Sequence, residues 1–277
     1  MRVVIIRLVA ALAAFAATLP AASAQGEELV FGVYPYLTPT QIVEQFTPLK
    51  EYIGKTLERP VAMVSAPDFT TFIERTRKGE YDVIFTAPHM GRLAEKRDGY
   101  SRVAQTGYQI VVAVLARRDG PIRSLDDLHA RSIAIGSRNS MTYQVVADAL
   151  RRRGLGLGQD VRLVETASFS NVMQAVMRGE ADAGGTGTLL WDVATDEQRD
   201  ALRVVFQSGP VPGFLVMAHP RLGEAGIRRL QQALPAFGST SAGVAYFRQT
   251  HQIDFRPLDD AAMKRIDPYV ADLTRGK

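Results

Sequence analysis

Short apolar runs alternate along the chain with longer stretches in which apolar residues recur every three or four positions. The first rhythm suits a buried strand, the second a helix with one face in a core. Leu29 to Val33 predicts a strand. Tyr34-Pro-Tyr-Leu-Thr-Pro-Thr40 breaks it, and Thr38 or Thr40 can cap a helix to about Leu57, with Ile42, Phe46, Leu49 and Ile53 on one face. Val61 to Val64 predicts a second strand, Asp68 to Lys78 a second helix, and Tyr81 to His89 a third strand opening the helix Met90 to Lys96. Gln109 to Arg117 predicts a long strand leading to a short helix, where Ser124 and Asp127 resemble a capping box with the shorter acid. Further strands fall at Ser132 to Ile135, Val161 to Val164, Val204 to Ser208 and Phe214 to Ala218, with tail helices at about Gly223 to Leu234, Ser239 to Arg248 and Asp259 to Thr274. Such alternation predicts an α/β fold with largely parallel pairing.

Between the strand at Ser132 to Ile135 and a helix at Tyr143 to Leu150 lies the small, polar turn Gly136-Ser-Arg-Asn-Ser-Met-Thr142. The helix therefore starts near Asn139 or Ser140, whose oxygens can accept from N–H groups that a first turn leaves unpaired. The remaining N–H groups converge on one spot, so an oxyanion there meets amides, the Ser140 and Thr142 hydroxyls and the positive end of the helix dipole. Plain capping is the commoner use of these residues. Arg138 in the turn can pair with an oxyanion or stay solvated, and Tyr143 follows directly.

Three earlier strand-to-helix turns present Tyr34, Tyr36, Phe69, Thr86 and His89 at one sheet edge, the edge where open α/β sheets bind ligands. The first half also echoes in the second. Phe69 to Pro88 and Phe169 to Thr188 share a hydroxyl-rich helix start, a Gly-Glu-x-Asp turn, a strand and a small or polar loop, so two lobes on one plan are expected. Phe169, Asn171 and Thr186 then occupy the matching edge of the second lobe. Gly154-Leu-Gly-Leu-Gly158 follows a helix and precedes a strand, the wrong order for a dinucleotide fingerprint, and reads as turn glycines.

Arg2 and Arg7, the apolar run to Leu19 and the small residues to Ala24 read as a secretory signal peptide, residues 1–24, with mature protein from Gln25 and the periplasm as destination. About 253 of the 277 residues then remain, enough for two lobes of roughly 100 to 130 residues. Without Arg2 and Arg7 the 33 Lys plus Arg fall to 31 against 29 Asp plus Glu, a balance that does not argue for nucleic acid. The absence of cysteine excludes disulfides, thiolate metal sites and a Cys nucleophile. His129, His219 and His251 lack zinc-ligand spacing, so neither metal nor cofactor is expected. No Gly-x-Ser-x-Gly occurs, and the serines of Gly238-Ser-Thr-Ser-Ala-Gly243 sit at the wrong offset, so an enzyme is not expected.

Together, Phe31-Gly-Val33, Ala66-Pro-Asp-Phe69, Gly79-Glu-Tyr-Asp-Val83, Ser124-Leu-Asp-Asp-Leu128, Asn139-Ser-Met-Thr142, Ala175-Val-Met-Arg-Gly-Glu-Ala-Asp182 and Ser208-Gly-Pro-Val-Pro-Gly213 resemble the periplasmic phosphate, phosphite and phosphonate substrate-binding proteins of ABC transporters. The resemblance spans essentially all of the chain after residue 24. It implies a two-lobed type II binding protein, a Venus-flytrap, with residues 27–114 plus 214–277 in one lobe, 115–213 in the other, and two hinge crossings. It also implies capture of a small anionic solute by hydroxyls and amides at a helix start, delivery to a permease or signalling to a sensor kinase, and a monomer that spans no membrane. This chain departs from the family pattern at Met141, where a hydroxyl residue is common, and lacks the glycine usual before Tyr143. Phe169 stands where phosphonate binders carry His, and Phe214 where some carry Asp, which disfavours an aminoalkyl ligand. Tyr34, Tyr36, Phe69, Phe169 and Phe214 instead suit an anion with an apolar body, or a plain core. On this reading, Ser140→Ala with Thr142→Val weakens ligand binding and leaves the empty protein's stability nearly unchanged.

Overall fold

The computed structural model describes residues 27–166, 169–270 and 273; the leader read at residues 1–24 and the end of the last expected helix lie outside them. In chain order the elements are β1 (Leu29–Val33), α1 (Pro39–Leu57), β2 (Val61–Val64), α2 (Phe69–Arg77), β3 (Val83–Thr86), α3 (Pro88–Asp98), β4 (Ser101–Thr106) and β5 (Val112–Arg117). Then come β6 (Ser132–Ile135), α4 (Met141–Arg151), β7 (Arg162–Glu165), α5 (Phe169–Met177), β8 (Ala183–Gly187), α6 (Thr188–Asp192), α7 (Asp196–Ala201) and β9 (Leu202–Gln207). The chain closes with β10 (Leu215–Ala218), α8 (Gly223–Phe237), α9 (Ser241–Thr250), β11 (Phe255–Arg256) and α10 (Asp260–Ile266). Among the described residues no helix is long and apolar enough to cross a membrane.

Two sheets divide the molecule into lobes, one ordered β11-β4-β10-β3-β1-β2 and the other β7-β6-β8-β5-β9. β1 pairs in parallel with β2 and β3, as β6 does with β7 and β8. β10 runs antiparallel between β3 and β4, and β5 antiparallel between β8 and β9. The mixture has a steric cause. A chain crossing from one lobe enters the other at the edge where the parallel strands end, as the register Leu215 to Thr86 and Val112 to Gly187 shows, so its strand must run back.

The sequence echo is a structural repeat. Gly79 and Gly179 both take left-handed backbone, φ +68 and +72, where a side chain is disfavoured. Each turn then delivers an aspartate to the strand beside it: Asp82 accepts from the Val30 N–H at 2.7 Å, and Asp182 from the Ser132 N–H at 2.8 Å. These carboxylates tie β3 to β1 and β8 to β6 in corresponding places.

Cores follow the predicted faces. Phe31, Phe46, Leu49, Ile53, Phe85 and Tyr246 are fully buried in the first lobe, and Ile133, Ile135, Val146 and Leu150 in the second. Each such side chain contributes roughly 1.5–3 kcal/mol of burial. The long strand expected at Gln109 to Arg117 is shorter, beginning at Val112, because residues 107–111 form a crossing. β4 went unpredicted. Its sequence, Ser-Arg-Val-Ala-Gln-Thr, is mostly polar, and only Val103, Ala104 and Thr106 are buried. The Ser124–Asp127 box forms by half: Asp127 accepts from the N–H groups of Arg123 and Ser124, while the Ser124 hydroxyl donates to that carboxylate instead of accepting from the helix.

The two crossings lie side by side. Ile110 and Val211 exchange backbone hydrogen bonds of 3.0 and 2.9 Å, and the Thr106 N–H donates to the Phe214 carbonyl at 2.8 Å. Beyond α10 the tail touches both lobes: Asp267 pairs with Arg92 and Lys96 of α3, while Tyr269 packs on the second core.

Candidate ligand-binding cleft

Four rings wall the first lobe. After β1 the Tyr34 N–H donates to the Phe85 carbonyl at 3.1 Å and the Tyr36 N–H to the Tyr34 carbonyl at 2.9 Å, a tight turn. The two rings consequently stack at 4.6 Å with an 8° interplanar angle. Phe69, first in α2, stacks on Tyr34 at 5.7 Å, and Phe214 leans over Tyr34 and Tyr36 at 5.7 and 5.3 Å. Tyr34 is buried and the other three half-buried. Burial raises both phenols well above their ordinary range, with neighbouring Tyr36 raising Tyr34 further, so both stay neutral.

Thr86 ends β3 and His89 sits in the first turn of α3, both fully buried. The start of α3 has Ala87 in the cap position and Pro88 next, and no side chain caps it. His89 Nε2 lies 2.9 Å from the backbone carbonyl of Asn139 on the opposite lobe. A carbonyl only accepts, so Nε2 carries the proton. Burial depresses the imidazole to about 4, against the pull of that carbonyl, which leaves the ring neutral at ordinary pH. Asn139 is bound a second time across the gap, its Nδ2 donating to Thr70 Oγ1 at 2.9 Å. Thr70 and Ser137 were not singled out from the sequence; the hydroxyl-rich start Phe69-Thr-Thr71 was the available signal for Thr70.

On the second lobe the helix start is where the pattern placed it. Ser140 caps α4: its Oγ accepts from the Tyr143 N–H at 3.1 Å and donates to the Ser137 carbonyl at 2.7 Å. Thr142 is buried, with its methyl 3.2 Å from where a Cβ on Gly185 would sit, so a glycine in β8 makes its room. Tyr143 is half-buried one residue further along α4. Arg138 points elsewhere, donating to Glu165 at 2.8 Å with both side chains about half exposed. Thr186, near the end of β8, is fully buried. Asn171 is exposed in the first turn of α5, while Phe169 opens that helix with its side chain outside the described set.

Three polar atoms of this group are buried with no hydrogen-bond partner: Thr86 Oγ1, His89 Nδ1 and Thr186 Oγ1. Such atoms cost about 1–3 kcal/mol each when left unmade. Two come from the first lobe and one from the second, all at or just past strand ends. Among the described residues there is no cluster of three His, Cys, Asp or Glu that could hold a metal.

Over residues 31–263 the chain matches the model of the ABC transporter phosphonate periplasmic substrate-binding proteins. The chain belongs to that family. Its members are solute-capturing components of ABC transporters, binding proteins rather than enzymes. The phosphonates-binding periplasmic protein of Escherichia coli (strain K12) is 23% identical over 261 residues, 88% of this chain and 76% of that relative. XAC2383 from Xanthomonas citri bound to chloride ion superposes with a TM-score of 0.79 at 24% identity, covering 90% of this chain and 98% of that one. PhnD1 from Prochlorococcus marinus (MIT 9301) in complex with methylphosphonate superposes with a TM-score of 0.75 at 14% identity, covering 90% and 99%. These structures share the two-lobed type II fold that the sequence resemblance implied. The binding protein thus captures a solute between lobes and hands it to a permease.

Proposed function

We propose that the solute is a phosphonate or a closely related phosphorus oxyanion with a small apolar body, held between the strand ends of the two lobes. The observation that carries this reading is the trio of buried, unpartnered atoms, Thr86 Oγ1, His89 Nδ1 and Thr186 Oγ1, drawn from both lobes. Buried polar groups are nearly always satisfied, so atoms left bare on both lobes suit a polar guest. The uncapped start of α3 adds backbone N–H groups, and the rings of Tyr34, Tyr36, Phe69 and Phe214 suit an alkyl body by dispersion. In this reading the bounds expected from the sequence, 27–114 with 214–277 and 115–213, move to 27–106 with 215–277 for one moving body and 112–207 for the other, because β5 belongs to the second sheet, and 107–111 and 208–214 are the hinge. Residues 1–24 export the chain as a signal peptide, and the mature protein works as a periplasmic monomer.

Thermal-shift measurements with methylphosphonate, phosphite, phosphate, methanesulfonate and acetate test the reading directly. Methylphosphonate or phosphite at a hundred times its dissociation constant stabilises the folded form by about 2.7 kcal/mol and raises the melting temperature. A panel in which no phosphorus oxyanion moves the transition refutes the proposal.

A further inference from the structure

We infer that His89 makes the cleft selective for an oxyanion that still carries a proton, by accepting the ligand's P–OH at Nδ1. The inference rests on the phosphorus-oxyanion reading above and adds the ligand's protonation state. It begins with the tautomer. Nε2 faces the Asn139 carbonyl at 2.9 Å and must donate, so in a neutral ring Nδ1 is a bare lone pair. That lone pair is buried without a partner. A donor brought by the ligand satisfies it; a second lone pair facing it does not.

Burial keeps the ring neutral, and among the described residues no unpaired anion faces it to oppose that. On the cradle side Arg138 is paired with Glu165, and on α2 Arg77 is paired with Glu74 and Arg75 with Glu80. On the tail packed against α3, Asp267 is held by Arg92 and Lys96 and Asp260 by Arg102, while Lys264 and Arg265 are cationic and β10 carries no charge. Burial and the Asn139 carbonyl are the two influences on the imidazole. Thr86 and Thr186, whose hydroxyls rotate, can donate to the oxygens that carry the negative charge. The class that fits is the singly protonated phosphonate, phosphite or phosphate. An alkylsulfonate has three oxygens and no proton near neutrality, so it presents only lone pairs to Nδ1.

Calorimetric titration of methylphosphonate and methanesulfonate into the parent protein and His89→Phe, from pH 6 to pH 9, tests this. Phenylalanine keeps a ring in the buried position and offers no acceptor, and the lost bond to Asn139 weakens both ligands alike, so the ratio between them reads Nδ1. The parent is expected to bind methylphosphonate at least about tenfold tighter than methanesulfonate at pH 6, and to weaken about tenfold per pH unit above the ligand's second ionisation. In His89→Phe the preference shrinks and the pH profile flattens. A parent affinity for methylphosphonate that is flat across the range, or a preference that His89→Phe retains in full, overturns the inference and leaves the phosphorus-oxyanion reading standing. Failure of every phosphorus oxyanion to bind removes both. Should circular dichroism show His89→Phe unfolded, the parent's own pH profile decides.

Discussion

Ser140 uses one oxygen twice, accepting from the Tyr143 N–H and donating to the Ser137 carbonyl. Both bonds are made between the chain's own groups, which alters the outcome expected from the sequence. Ser140→Ala should lower the stability of the ligand-free protein by about 1 kcal/mol, within the 0.5–2 kcal/mol range of lost caps, as read from a urea transition. An unchanged midpoint would show that the cap contributes nothing and would return the hydroxyl to ligand binding alone. Other single residues were legible to different degrees. Thr86 ends β3 as expected, whereas His89, read as ending that strand, lies in the first turn of α3, and Thr186, read in a glycine-rich loop, lies within β8. Arg138 could not be assigned its partner, because Glu165 comes beside it only through the parallel register that sets Ile135 opposite Glu165. Thr70 was hidden for a similar reason: its partner Asn139 belongs to the other lobe.

At the scale of elements, most strands and helices were readable because buried strands and amphipathic helices leave different periods in a sequence. The first crossing was not. A segment such as 107–111 is held by exchange with 208–214 rather than by its own pattern, and the mostly polar β4 beside it gives no run of apolar residues. The crossings also set a steric limit. A Cβ on Gly213 would lie 2.1 Å from the Tyr108 carbonyl oxygen and 2.4 Å from Thr106 Oγ1, whereas one on Gly209 would meet nothing within 4 Å. Gly213→Ala is therefore expected to destabilise by roughly 1–3 kcal/mol, the usual range for overpacking, and Gly209→Ala by much less. Equal melting temperatures for the two variants would mean that the crossings part at little cost.

For the whole molecule the tail matters more than its position suggests. It joins α3, which carries His89, to α4, which Ser140 caps, through Asp267 on one side and Tyr269 on the other. The Arg92 hydrogen bond and the Lys96 ammonium hold the Asp267 carboxyl down to about 2, against about 3.9 in an unfolded chain. A folded value below the unfolded one stabilises in full above pH 4 and is lost as pH falls through about 2. Asp267→Asn should accordingly unfold at lower urea than the parent at pH 7, and the gap should close as pH approaches 2. A gap of constant size across that range would assign the effect to packing and not to charge.

The strand order of the first sheet reaches further, into how the polypeptide is made. β10, the strand between β3 and β4, comes from residues 215–218, more than a hundred positions after the neighbours it joins. Loop closure on that scale is slow, and until those residues have been synthesised the first lobe lacks an interior strand. The second sheet, drawn from residues 112–207 alone, has all its strands before the first does.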